Sequence, residues 1–265
     1  MLQIGAGPAT GAGIARILGD PSQGNLAVAL LARRQDALSE LAKDLRSQSS
    51  GGVYETFATD TAPDNLRKAF ADIKSHKSFQ GLKLRMAIYS IKNSAKKPFM
   101  QETFEDFMDP LESYVGGAMV FAQESLKRMF EDHGEKTLAE GAEKKGTIIF
   151  TGTLGALRCN AEFASYGASR ASVRQLAQAL AREMSARGVS TPPRPLTGSL
   201  ADHCRSMSST PSPMAASQTR TMRTPRVESI SLPKPLGRPT YGCMSSILRC
   251  GRYVHASLCR GCRSR

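Results

Sequence analysis

From Met1 to Val189 the apolar positions fall into two patterns that alternate along the chain. Met1–Ile4, Ala27–Ala32, Val53–Ala58, Met86–Tyr89 and Thr147–Phe150 are short runs dense in apolar residues. Such runs are the mark of strands covered on both faces. Between them the apolar residues take helical spacing. Ile14–Leu18 is an apolar helix start, and Leu38, Leu41, Ala42 and Leu45 share one face of a helix. Asn65–Ile73, Phe104–Phe130 and Ser165–Arg187 read as further helices, and charged, aperiodic His133–Lys145 as an exposed loop. Strict alternation of strand and helix predicts an α/β fold, a doubly wound parallel sheet with right-handed crossovers.

The alternation stops at Val189. Pro192, Pro193 and Pro195 would break a central strand begun at Gly188-Val189. The sheet is therefore expected to end after its fifth or sixth strand. Nine of the 14 prolines and five of the six cysteines lie in residues 190–265. The expected organisation is a folded domain over 1–189 and a Ser/Pro/Arg-rich irregular tail over 190–265. Two readings of the tail stand side by side: a disordered basic extension, or the product of a shifted frame, retained intron or mis-joined exon.

Composition then changes the picture. A length of 265 residues suits one α/β domain with a full core. The net charge of +13 is uneven: residues 1–189 hold 24 Lys+Arg against 21 Asp+Glu, and residues 190–265 hold 12 against 2. Nucleic-acid binding through the tail is thus the weakest reading, since its only aromatics are Tyr241 and Tyr253. Cys259-Arg-Gly-Cys262 has Cys243, Cys250 and His255 nearby, but zinc would want two close pairs, so free thiols and no metal are expected. No apolar run approaches the ~20 residues of a bilayer span. No basic stretch precedes the short apolar start, so the expectation is a cytoplasmic protein without a membrane partner.

The chemistry begins at Gly5-Ala-Gly7-Pro-Ala-Thr-Gly11-Ala-Gly13, between the first strand and the first helix. Backbone must approach a pyrophosphate closely there, and a Cβ would obstruct it. Gly7-x3-Gly11-x-Gly13 resembles the cofactor turn of the short-chain dehydrogenases/reductases. The resemblance continues through Ala27–Asp44, Asp60-Thr61, Gly117–Gln123, Gly146–Thr153 and Tyr166–Arg187, covering about residues 2–189. It implies a Rossmann-like sheet and an oxidoreductase that moves a hydride between NADP(H) and a small carbonyl or alcohol substrate.

Residue by residue, the resemblance implies that Gly7, Gly11 and Gly13 receive the cofactor. Arg33 and Arg34 end the second strand, where the family's NAD enzymes have an acid. Guanidinium matches the 2′-phosphate of NADP, and a solvated helix start is the alternative. Asp60 matches an adenine-contacting aspartate, with an ordinary turn or capping aspartate as its alternative. Tyr166 matches the acid/base tyrosine, and Thr153 stands at the serine position and keeps a hydroxyl. Arg170 replaces the lysine that lowers the tyrosine pKa and holds the nicotinamide ribose. Tyr114 falls at the family's asparagine, and Tyr89-Ser90-Ile91 replaces its Asn-Ala-Gly. A homo-oligomer through the helices containing Tyr114 and Tyr166 is implied as well. The alternative function is a catalytically impaired dinucleotide-binding protein, because the lysine is lost and the segment after the sixth strand, which covers substrate in the family, is unlike it.

Overall fold

The computed structural model describes residues 1–192 apart from Asn93 and Ala95. The tail expectations, including Cys243, Cys250, His255, Cys259 and Cys262, lie outside the described residues. Six strands form one parallel sheet: β1 (Leu2–Ile4), β2 (Val28–Ala32), β3 (Tyr54–Ala58), β4 (Met86–Tyr89), β5 (Gly146–Phe150) and β6 (Val189–Ser190). Their order is β3-β2-β1-β4-β5-β6. The chain winds outward from β1 in one direction and then, from β4, in the other. The point between β1 and β4 where the winding reverses is where such sheets open a ligand crevice.

Strand sequence explains why both faces are covered. In β2, Ala29 and Leu31 point to one side and Val28 and Leu30 to the other, and all four are buried. β4 splits likewise into Ala87 and Tyr89 against Met86 and Ile88. One side packs on α1 (Thr10–Gly19) and α2 (Gln35–Gln48) through Ile14, Leu18, Leu38 and Leu45. The other packs on α3 (Pro63–Ser75), α5 (Gly117–His133) and α6 (Ala164–Met184) through Phe70, Phe121 and Val173. Each fully buried Leu or Phe contributes about 1.5–3 kcal/mol of transfer free energy.

One expected helix is divided. Phe104–Phe130 reads as continuous in sequence, but α4 (Phe104–Pro110) passes into a wider π-helical stretch at Leu111–Gly116 before α5 begins. Pro110 cannot donate an amide to the preceding turn, so the regular ladder gives way there. Gly117 then lets α5 approach closely, since a Cβ would meet Thr61 Cβ at 2.6 Å and Tyr89 Oη at 3.0 Å. The segment His133–Lys145 is mostly exposed as expected, but His133 closes α5, Leu138–Glu140 forms a short turn, and Lys145 is buried. No described helix is long and apolar enough to cross a membrane.

Candidate active site

The turn after β1 is built from backbone proximity. Gly5 has φ +82°, and a Cβ there would sit 2.1 Å from the Ser90 carbonyl oxygen. The amides of Gly5 and Ala6 both donate to the Leu31 carbonyl, at 2.9 and 3.1 Å. Gln3, a lone polar residue in the first strand, is fully buried and donates from Nε2 to the Gly11 carbonyl at 3.1 Å. It braces the first turn of α1 against the sheet. Sequence reasoning missed it, although a buried polar residue in an apolar strand is the signal.

The three expected glycines divide by role. A Cβ at Gly7 or Gly13 would meet nothing within 4 Å. Both line an open cavity of about 990 Å³ that also holds Arg16, Arg33 and Arg34. Gly11 faces inward, where a Cβ would lie 3.0 Å from Ala6 Cα, so its smallness serves the packing of α1 on the turn. The bare backbone of Gly7 and Gly13, the N-terminus of α1 and the nearby guanidinium groups fit a dinucleotide pyrophosphate.

Asp60 stands in an adjoining cavity of about 540 Å³, and Arg33 lines both cavities. Its Oδ1 accepts from Asn65 Nδ2 and from the Ala62 amide, both at 2.9 Å. The Asn65 bond, then the Ala62 bond, hold its carboxyl below the usual range, and Arg33 adds to this. The aspartate therefore organises the start of α3, ahead of Pro63 at the first helical position, while also facing the cavity.

The second half of the site follows β5 and opens α6. Thr153 Oγ1 and Tyr166 Oη are 2.8 Å apart. Gly155 makes room for the Tyr166 ring, since a Cβ there would lie 2.6 Å from Cε1. Phe163 packs its ring edge-on against that of Tyr166, with 66° between the planes and 5.8 Å between centroids. The segment before α4 is tied to the start of α6 by the Lys97 amide on the Glu162 carbonyl at 2.8 Å and by the Ser165 amide on Glu102 Oε1 at 3.3 Å.

Arg170 lies one helical turn beyond Tyr166 and is 5 % exposed. Its guanidinium carbon is 4.2 Å from the Tyr114 ring centroid and 5.1 Å from that of Tyr166. It donates from Nη1 to Tyr114 Oη at 2.7 Å and from Nη2 to the Ile91 carbonyl at 3.3 Å. The cation thus faces the Tyr166 ring, an arrangement favoured by the aromatic quadrupole. Burial raises the Tyr114 phenol, against the opposing charge of Arg170. Tyr89 is raised by burial too, and its hydroxyl donates to the Tyr114 carbonyl at 2.8 Å. The structure therefore brings Thr153, Tyr166 and Arg170 together beyond the end of β5, and Gly7, Gly13, Arg33 and Arg34 together around the turn after β1.

No curated protein matches the sequence. Among solved structures, sorbitol-6-phosphate 2-dehydrogenase from Erwinia amylovora is similar with a TM-score of 0.60 at 20% identity, over 72% of this chain and 68% of that one. A short-chain dehydrogenase from Rhodopseudomonas palustris matches with a TM-score of 0.60 at 21% identity, over 78% and 88%. A gluconate 5-dehydrogenase from Burkholderia cenocepacia J2315, solved with NADP and tartrate, gives 0.56 at 18% identity, over 71% and 66%. At these identities the likeness is one of fold. The family model for short chain dehydrogenases matches residues 2–192. With the glycine turn, the sheet order and the Thr153–Tyr166 pair in place, this chain belongs to the short chain dehydrogenase family.

Proposed function

We propose that the protein binds NADP(H) and interconverts a carbonyl and an alcohol on a small organic substrate. The observation that carries this reading is the 2.8 Å contact between Thr153 Oγ1 and Tyr166 Oη, with the Arg170 guanidinium stacked 5.1 Å from the Tyr166 ring. When bound, the nicotinamide supplies or accepts the hydride. Gly7, Gly13 and the N-terminus of α1 would hold the pyrophosphate, Arg33 and Arg34 a 2′-phosphate, and Asp60 the adenine side. Arg170 would reach the nicotinamide ribose in place of the family's lysine. Thr153 holds the substrate oxygen by hydrogen bonding, and Tyr166 gives that oxygen a proton as negative charge develops on it. Arg170 keeps a permanent positive charge beside the ring of Tyr166.

The sheet strand β6 (Val189–Ser190) and the family model carry this NADP-binding domain through residue 192. Exposed Phe104, Met108 and Met119 on α4 and α5 support a homo-oligomer through the helices that carry Tyr114 and Tyr166. The test is NADPH consumption across a panel of ketones and aldehydes, for the parent and for Tyr166→Phe, beside calorimetric titration of NADPH. Carbonyl-dependent oxidation lost in Tyr166→Phe supports the reading. Tight NADPH binding with no carbonyl consumed would make the chain a dinucleotide-binding protein without turnover.

A further inference from the structure

Around Tyr166 the chain departs from its family at Tyr89, Tyr114 and Arg170, and these three residues form one connected unit. Tyr89 Oη holds the Tyr114 carbonyl at 2.8 Å. Tyr114, on the π-helical stretch, turns its hydroxyl to Arg170 Nη1 at 2.7 Å and its ring face to the same guanidinium at 4.2 Å. Tyr114 is 1 % exposed, so water cannot readily replace either contact. The same guanidinium meets the ring of Tyr166, 5.1 Å from its centroid. We propose that Tyr114 is the positioning residue for Arg170, and that the two act as one paired replacement of the family's asparagine and lysine. What Arg170 does to the reaction rests on the function proposed above; where it is held does not.

The physical reason for pairing is shape. A guanidinium is planar and stacks against aromatic faces, whereas an ammonium is a compact point charge on a flexible four-carbon stem. Lysine at 170 would leave the Tyr114 hydroxyl without its charged donor. Asparagine at 114 would remove the ring that supports the guanidinium. Each single change is therefore disruptive, while the two together recreate the family's own combination.

A double-mutant cycle decides this. Tyr114→Phe keeps the ring and removes the acceptor; Arg170→Met removes the cation. NADPH affinity is measured by calorimetry, and kcat and KM with phenanthrenequinone as the carbonyl probe. Circular dichroism melting establishes that each variant is folded. Tyr114→Phe should lower kcat about tenfold and weaken NADPH several-fold, with the quinone KM little changed. Both effects should vanish in the Arg170→Met background. Arg170→Lys alone should be slower than the parent, and Tyr114→Asn with Arg170→Lys should be faster than either single variant. Equal losses from Tyr114→Phe in both backgrounds would overturn the proposal, because Tyr114 would then only pack. A parent that binds NADPH but does not reduce the quinone defeats the proposed reaction, and the cycle is then decided by NADPH affinity alone. A parent that does not bind NADPH defeats the proposed function, and the cycle is then decided by melting temperature, where the loss from Tyr114→Phe should vanish in the Arg170→Met background and an equal loss in both overturns the pairing.

Discussion

Thr153 Oγ1 and Tyr166 Oη lie within hydrogen-bond distance although 13 residues separate them in the chain. The first follows β5 and the second sits in the opening turn of α6, so the strand-to-helix connection sets their spacing. Because the threonine hydroxyl is held by the phenol, its methyl group is the variable part. Thr153→Ser should keep reduction within a few-fold of the parent. Thr153→Val keeps the volume and deletes the hydroxyl, and should lower kcat on the order of 100-fold, the usual loss of one donor to a developing oxyanion. Steady-state NADPH oxidation gives the answer, and equal rates for Thr153→Val and parent would remove the threonine from the reaction.

The glycines of the first turn allow structural and binding roles to be separated. Gly5→Ala requires a side chain at φ +82° and a Cβ 2.1 Å from a carbonyl oxygen. It should destabilise the fold by more than about 2 kcal/mol. Gly13→Ala points a methyl into open space, with nothing within 4 Å. Its melting temperature should match or exceed the parent value, since Ala favours the helix, while NADPH affinity falls. If Gly13→Ala binds NADPH as well as the parent, the pyrophosphate does not lie over this turn.

How much of this could be read in advance depends on where the information sits. β2 and β4 were legible because strands buried on both faces are apolar without a break. Tyr166 and Thr153 were legible because a fixed local connection spaces them. The π-helical stretch was not, since Leu111–Gly116 keeps helical periodicity and only Pro110 hints at the change. The partnership of Tyr114 with Arg170 joins residues 56 apart, and no local pattern encodes it. Sequence comparison alone leads to the expectation that restoring lysine at 170 raises activity; under the pairing proposed above, the hydrogen bond from Arg170 to Tyr114 makes that single change slower instead.

The proposed preference for NADP(H) rests on Arg33 and Arg34. Both are exposed in the cavity beside Gly7 and Gly13, and no acidic side chain precedes Asp36 at the end of β2. NADPH should bind about 10- to 100-fold more tightly than NADH, the range of one charge-assisted phosphate contact. Replacing both arginines by alanine should bring the two affinities together by weakening NADPH alone. Calorimetry on the four combinations is sufficient, and a parent that prefers NADH would remove both arginines from cofactor selection.

His133 closes α5, and its pKa is lowered, first by burial and then by the charge of Arg85. Hydrogen bonding at Leu84 and the charge of Asp132 oppose this without reversing it. The folded state then binds fewer protons than the unfolded chain between the lowered value and the ordinary one near ~6.5, so stability rises with pH across that window. The contribution is complete above the unfolded value and is lost as pH falls through the folded one. Melting temperature should therefore drop on acidification from about pH 7.5 to about pH 5.5, and His133→Gln should remove part of the slope. Parallel curves for the two proteins would exclude the histidine as a source.

Lys145 ties down the opposite end of the sheet from Thr153 and Tyr166. It is 1 % exposed, and its ammonium donates to the carbonyls of Lys136 and Arg187, the latter at 2.9 Å. Its own amide donates to the Gly188 carbonyl at 2.8 Å, and Leu138 donates to Ala186 at 2.9 Å. The loop after α5, the entry to β5 and the turn leading into β6 thus converge on one side chain. Lys145→Met keeps a stem of similar length but leaves the two carbonyls without their charged donor. The expected destabilisation is about 1–3 kcal/mol, since two part-buried acceptors lose charge-assisted bonds. Lys145→Arg should not rescue it, because a planar fork cannot occupy a cage shaped for a compact ammonium. Urea denaturation measures the loss. Since Lys145 precedes β5 while Thr153 follows it, folded Lys145→Met should bind NADPH as the parent does. A variant that loses NADPH affinity at unchanged stability would instead connect this end of the sheet to the site.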